Sequence, residues 1–118
     1  MSPDDHVRLR HMMDAAASAV RFTTGRTRED LDRDQLLTFG VTHAVMIIGE
    51  AAARIAPTSR AEVPSIPWNQ IVGMRNRLVH AYFDIDRNIL WETVAVAIPD
   101  LLAKLEAWHS STGSGNGS

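Results

Sequence analysis

The sequence predicts an all-α fold: a four-helix bundle with one short additional helix, assembled as a dimer. Apolar residues recur at helical spacing in four long segments. Capping residues and glycines bracket those segments, and no stretch alternates convincingly as a strand would. The 118 residues fit one domain, read as a helical unit over 1–109 followed by a flexible Gly/Ser tail over 110–118.

The first helix should start near Pro3, with Ser2 or Asp4 as its cap, and stop about Thr24-Gly25, where glycine can turn left-handed. Its buried stripe is Leu9, Met12, Met13, Ala16, Ala19 and Val20. Thr27 to Asp34 reads as a capped short turn of helix, polar apart from Leu31. A second long helix, from about Asp34 to Ile55, carries Leu37, Val41, Ala44, Ile48, Ala51 and Ile55 on one face. Its Gly40, Gly49, Ala52 and Ala53 would admit a close neighbour. Pro57, Pro64 and Pro67 mark a loop, because proline denies a continuing helix its N–H. A third long helix runs from Pro67 to about Phe83. The fourth opens near Asp86 and carries Leu90, Val94, Ala97, Leu101, Leu105 and Trp108, with Pro99 expected to kink or split it.

Composition narrows the function. With no cysteine, disulfides, thiolate chemistry and Cys-based zinc sites are all excluded. The N-terminus lacks a basic-then-apolar leader, and no apolar run approaches the roughly 18 residues of a membrane span. A cytoplasmic protein without membrane contact is the expectation. The net charge of −2 argues against a broad nucleic-acid surface, so any such contact must be local. His43 and Glu50 share a helix face, but two ligands are too few for a metal site. Neither a metal nor a cofactor is expected, and no glycine-rich phosphate loop is present.

The third helix has two apolar faces. Projected at 100° per residue, Ile71, Met74, Leu78, Ala81 and Ile85 share an arc of about 80°, while Trp68, Val72, Val79 and Phe83 cluster on the opposite side. Such a helix is either central and buried on both sides or carries a homodimer interface on the second face. We favour the interface. Arg75 and His80 lie about 140° apart on an ideal helix. They can cooperate only if the helix unwinds near His80, or if two chains pool their residues in one groove.

The polar residues of this helix suit one reaction. RNA is cut without metal when its 2′-hydroxyl attacks the adjacent phosphorus, which needs proton transfer and positive charge at the phosphoryl oxygens. Histidine can accept or donate protons near neutral pH, so His80 suits that role. Arginine offers a permanently charged fork matched to phosphate, so Arg75 suits the second. Asn76 can orient a phosphate or sugar oxygen, and Arg77 can steer phosphate. Two copies of His80 across a dimer could serve as base and acid, giving a 2′,3′-cyclic phosphate.

Arg75-Asn-Arg-Leu-Val-His80-Ala-Tyr82 resembles the Arg-x4-His-x-Tyr signature of HepT toxins in the HEPN superfamily. The likeness spans about residues 5 to 109, including Ile47-Ile-Gly-Glu-Ala-Ala52 before the motif and Asp84-Ile-Asp, Trp91 and Pro99 after it. The resemblance implies a HEPN-type helical dimer with its motifs at a shared cleft, acting as a metal-independent endoribonuclease. By that match Arg75 and His80 are catalytic. It also implies a toxin–antitoxin pair, in which a minimal nucleotidyltransferase antitoxin neutralises the toxin by transferring AMP to Tyr82. Added bulk and negative charge at the cleft would exclude RNA. Two other readings stand beside it: a non-catalytic HEPN module that binds a nucleotidyltransferase and assists substrate or nucleotide binding, and a structural four-helix dimer.

Overall fold

The computed structural model describes the backbone of residues 1–80 and 86–117, and the side chains of these except at 79, 80 and 113–117. Among the described residues the chain is helical, without a strand. It forms α1 (Pro3–Thr23), α2 (Asp30–Arg33), α3 (Gln35–Arg54), α4 (Pro57–Ala61), α5 (Trp68–His80) and α6 (Arg87–Glu92). From α6 the chain passes through a π turn (Thr93–Ala97) into α7 (Ile98–Gly117). The central helix is α3, which packs against α1 and against α5, while α7 lies along α1.

Local chemistry sets most of the boundaries. Ser2 caps α1, its hydroxyl accepting the Asp5 N–H at 3.1 Å, and Gly25 takes φ 75° just past the helix end, as glycine can at little steric cost. Asp34 caps α3 by accepting the Leu37 N–H at 3.1 Å. Asp86 caps α6 by accepting from the Asn88 and Ile89 N–H groups. At the short α2, Asp30 reaches back to the Thr27 N–H at 2.7 Å, satisfying a donor the helix start leaves open.

The predicted stripes meet in one core. Leu9, Met12, Val41, Ile48, Leu90, Val94 and Leu105 are fully buried. By length and composition α3 could cross a bilayer, contrary to the reading of the sequence. Leu37, Val41, Ala44, Val45, Ile48, Ala51 and Ala52 are instead buried in the core that α3 shares with α1 and α5, while Leu36 and Phe39 stay exposed.

Two elements depart from expectation. The proline-marked loop contains α4, because Pro57 sits at the first helical turn, where its missing N–H costs nothing. Ala97, assigned to the core stripe of the last helix, is exposed, and Ile98 is buried in its place. The cause lies at Pro99, whose ring would clash with the carbonyl of Ala95 and which has no N–H to donate. A π turn opens the helix there, and the extra residue moves the core register on by one. The backbone of 110–117 continues α7.

One buried polar contact leaves no mark in the sequence pattern. Asp5, only 3% exposed, ties the start of α1 to the start of α4. Its carboxylate accepts from the Ser59 hydroxyl at 2.7 Å, the Ala56 N–H at 3.2 Å and Arg8 at 2.8 Å. The Ser59 hydrogen bond, helped by Arg8 and Ala56, holds the carboxyl below the usual aspartate range against the opposing effect of burial. A lowered folded pKa adds stability that is complete above the ordinary value of about 3.9 and is lost as pH falls through the folded one. Asp5→Asn should therefore melt below the wild type at pH 7, and the gap should narrow below about pH 4. Thermal melts from pH 3 to 7 measure this. A gap independent of pH would contradict it.

Candidate active site

Ile71, Met74 and Leu78 bury one face of α5, which turns Arg75 to the flank beside α3. Gly49 of α3 lies buried directly beneath it. A Cβ at position 49 would collide with the Arg75 Cβ and Cγ atoms, so the stem of Arg75 rests on the backbone of α3. Only hydrogen at position 49 permits this approach.

The stem is held and the head is partly exposed. The Arg75 side chain is 31% exposed. One terminal nitrogen donates to Asn76 Oδ1 at 3.0 Å, and the other stands 3.9 Å from Glu50 Oε1. That separation in an exposed setting is worth little, so it orients the guanidinium more than it stabilises the fold. The buried Nε–H has no acceptor among the described residues. Glu50 therefore approaches Arg75 across the α3–α5 contact. With its oxygen engaged, Asn76 presents its amide N–H donors on the exposed surface. The result is a compact set of donors suited to an anionic oxygen.

Arg77 does not join this set. It lines a groove of about 760 Å³ between α5 and the α6–π segment, a feature the sequence reading missed. The available signal was Gly73, a glycine in mid-helix, where it costs about 1 kcal/mol relative to alanine.

His80 is the last described residue of α5, and the backbone is helical from Arg75 through it. Local unwinding between the two residues, one of the two routes by which they could converge, does not occur. The two positions remain about 140° apart around the axis. The His80 side chain, and Tyr82 altogether, lie outside the described residues.

The expected interface face is only partly described. Trp68 is occupied within its own chain: the indole N–H donates to the carbonyls of Arg60 and Val63, both at 3.2 Å, and the Arg60 guanidinium sits 5.6 Å from the ring centroid. Arg60 in turn donates to the Ala52 and Ile55 carbonyls at the end of α3. Trp68 is thus anchored within its own chain and remains partly buried. Val72 is partly buried against the core, while the Val79 side chain and Phe83 fall outside the described residues.

The profile of the family described as "HepT-like: Ribonuclease HepT-like" matches residues 12–108. Similar proteins include "Probable ribonuclease HepT" of Thermococcus cleftensis, 38% identical over 98 residues that cover 83% of this chain and 89% of that protein. "Putative RNase TTE0752" of Caldanaerobacter subterraneus subsp. tengcongensis is 33% identical over 93 residues, 79% of this chain and 83% of its own. "Putative RNase MJ1380" of Methanocaldococcus jannaschii is 32% identical over 98 residues, covering 83% and 90%. No solved structure matches the chain.

The Gly49 contact has a direct test. Gly49→Ala should cost about 1–3 kcal/mol, as overpacking a tight contact does. Combined with Arg75→Gly, which removes the colliding atoms, the double variant should lose less stability than the two single losses added. Denaturant titration of all four proteins reads this directly, and strict additivity would refute the contact.

Proposed function

The chain belongs to the HepT-like ribonuclease family, and from that premise we propose that it is a metal-independent endoribonuclease acting through Arg75 and His80. The observation that carries this reading is the Arg75 head group. Its stem is packed against Gly49 while its fork, with Asn76, stays at the surface as donors for phosphoryl oxygens. His80 follows on the same helix and supplies proton transfer near neutral pH.

The reaction follows from those groups. A 2′-hydroxyl loses its proton to one imidazole and attacks the adjacent phosphorus. The bond from phosphorus to the 5′-oxygen breaks, and a second imidazole returns a proton to that oxygen. The products are a 2′,3′-cyclic phosphate and a 5′-hydroxyl. Arg75 stabilises the charge that builds on the phosphoryl oxygens, and Asn76 orients them.

A four-helix homodimer completes the site in this proposal. Because α5 stays helical through His80, the Arg75 and His80 of one chain diverge, and a shared groove would unite those of two. The second copy also supplies the second imidazole. In the same reading the protein is a cytoplasmic toxin, and a minimal nucleotidyltransferase antitoxin transfers AMP to Tyr82. Tyr82 follows Arg75 by seven positions, which on a continued helix is about 20° away. The modification would thus set a bulky anion beside the phosphate-binding fork.

Purified protein incubated with labelled RNA in EDTA should cut it and leave cyclic phosphate ends. Arg75→Ala and His80→Ala should each lower the rate by about 100-fold or more. Cleavage that needs a divalent metal, or that survives both substitutions, would refute the mechanism. Absence of cleavage with tight binding to a nucleotidyltransferase would favour a non-catalytic module instead. The assembly should run at twice the chain mass in sedimentation, and a monomer at micromolar concentration would remove the shared cleft. After exposure to the antitoxin and ATP, mass spectrometry should find AMP on the wild type and none on Tyr82→Phe.

A further inference from the structure

The groove beside Arg77 has features that packing among the described residues does not explain. Gly73 forms part of its wall, and a Cβ added there would meet nothing within 4 Å. A glycine inside a helix costs about 1 kcal/mol relative to alanine, and here no contact among the described residues requires it. The opposite wall is the π turn, where an extra residue swings Val96 outward to 66% exposure. Such turns occur often at functional sites. Ile89, 37% exposed, adds a second apolar surface, with Met74 at the floor. Polar groups stand at the edge: Glu92 on α6, and Arg77 on α5. An apolar slot of this size with a few polar groups is the usual form of a small-ligand site.

Its position relates it to the proposed chemistry. Gly73 and His80 are seven residues apart and share one row of α5, separated by about 10 Å along the axis. Arg77 lies one turn before His80, about 4.5 Å along the axis. The groove therefore leads along the helix to the His80 position.

We propose that this groove binds one nucleobase of the RNA strand, in the nucleotide next to the scissile phosphate, and so sets sequence preference. The inference rests on the ribonuclease reading and deepens it. The aliphatic surfaces of Met74, Ile89 and Val96 cover the faces of a flat ring, and the missing side chain at Gly73 lets it approach the helix backbone. Arg77 takes the phosphate attached to that nucleotide. The Glu92 carboxylate accepts from an exocyclic amine, as acidic side chains do with cytosine. Uracil has no exocyclic amine and offers only its ring N3–H, between two carbonyl oxygens that repel a carboxylate. The slot thus favours an amine-bearing base, and it accounts for recognition by a chain with net charge −2.

Binding is measured apart from cleavage with 2′-fluoro homotetranucleotides of A, C, G and U, which lack the attacking hydroxyl. The readouts are Kd and the NMR methyl shifts of Met74, Ile89 and Val96. The amine-bearing tetramers should bind more tightly than the U tetramer and shift those methyls. Gly73→Leu, which fills the slot while improving helix propensity, should weaken the bound tetramers at least tenfold. Glu92→Gln should reduce the discrimination against U, and Arg77→Ala should weaken all bases alike with a shallower salt dependence. Cut-site mapping on a mixed-sequence RNA should show the same base preference. If the wild type cuts RNA while Gly73→Leu and Glu92→Gln leave affinity and cut-site preference unchanged, the groove assignment falls and the ribonuclease reading stands. If no RNA is cut but the tetramers still shift the groove methyls and Gly73→Leu abolishes this, the slot is upheld and the nuclease reading falls. Unchanged tetramer binding with an altered solution mass in Gly73→Leu would place a second chain in the groove and overturn the proposal.

Discussion

The crossing of α3 and α5 at Gly49 governs the functional side of this molecule. Two helices can bring their backbones this close only where one of them lacks a side chain. At that point the other helix carries Arg75, whose first two side-chain carbons rest where a Cβ would otherwise be. The contact joins fold to chemistry. It seats α5 on the core helix, and it fixes the root of the guanidinium that the proposed reaction uses. An arginine on an open helix surface would have to lose side-chain freedom, roughly 2 kcal/mol, each time it bound phosphate. Here the stem is already ordered by packing, so less of that freedom remains to be lost.

The rest of the chain supports this crossing from a distance. Ile71, Met74 and Leu78 anchor α5 in the core, while Arg60 and Trp68 tie its beginning to the end of α3. Asp5 joins α1 to α4 through Ser59, so the segment between α3 and α5 is held at two points. Each of these ties combines a polar group with acceptors or donors that would otherwise be left unsatisfied. The π turn before Pro99 answers the same demand of the backbone. It accommodates a residue that cannot donate, and in doing so shapes one wall of the second groove.

Helix positions are legible in the sequence because their signals are local. Ser2, Asp34 and Asp86 each cap the helix that follows, and the stripes through Leu9, Val41 and Leu90 are buried as their spacing requires. The departures have a common origin in proline and register. Pro57 reads as a loop marker although proline also opens helices, and Pro99 reads as a kink although one inserted residue accommodates it. That insertion exchanges Ala97 for Ile98 in the core. Trp68 looks like an unpartnered aromatic because its partners, the carbonyls of Arg60 and Val63, are not visible in a helical projection.

The run from Arg75 to Tyr82 shows where the two kinds of information divide. Sequence alone determined the residue types, their spacing and the family they belong to, because helical periodicity and a short motif are properties of neighbours along the chain. It also determined that Arg75 and His80 diverge on a regular helix, since the rotation of about 100° per residue leaves no freedom. Only the tertiary structure decided that α5 stays regular through His80, that Gly49 rather than another small residue receives Arg75, and that Glu50 approaches Arg75 and not Arg77. Arg77 faces away from Arg75 by the same rotation, but only the packing of α6 and the π turn makes a groove of its flank. Those outcomes depend on which helices touch and at what height. Contact between distant segments is set by the simultaneous fit of many side chains, and no local pattern encodes it.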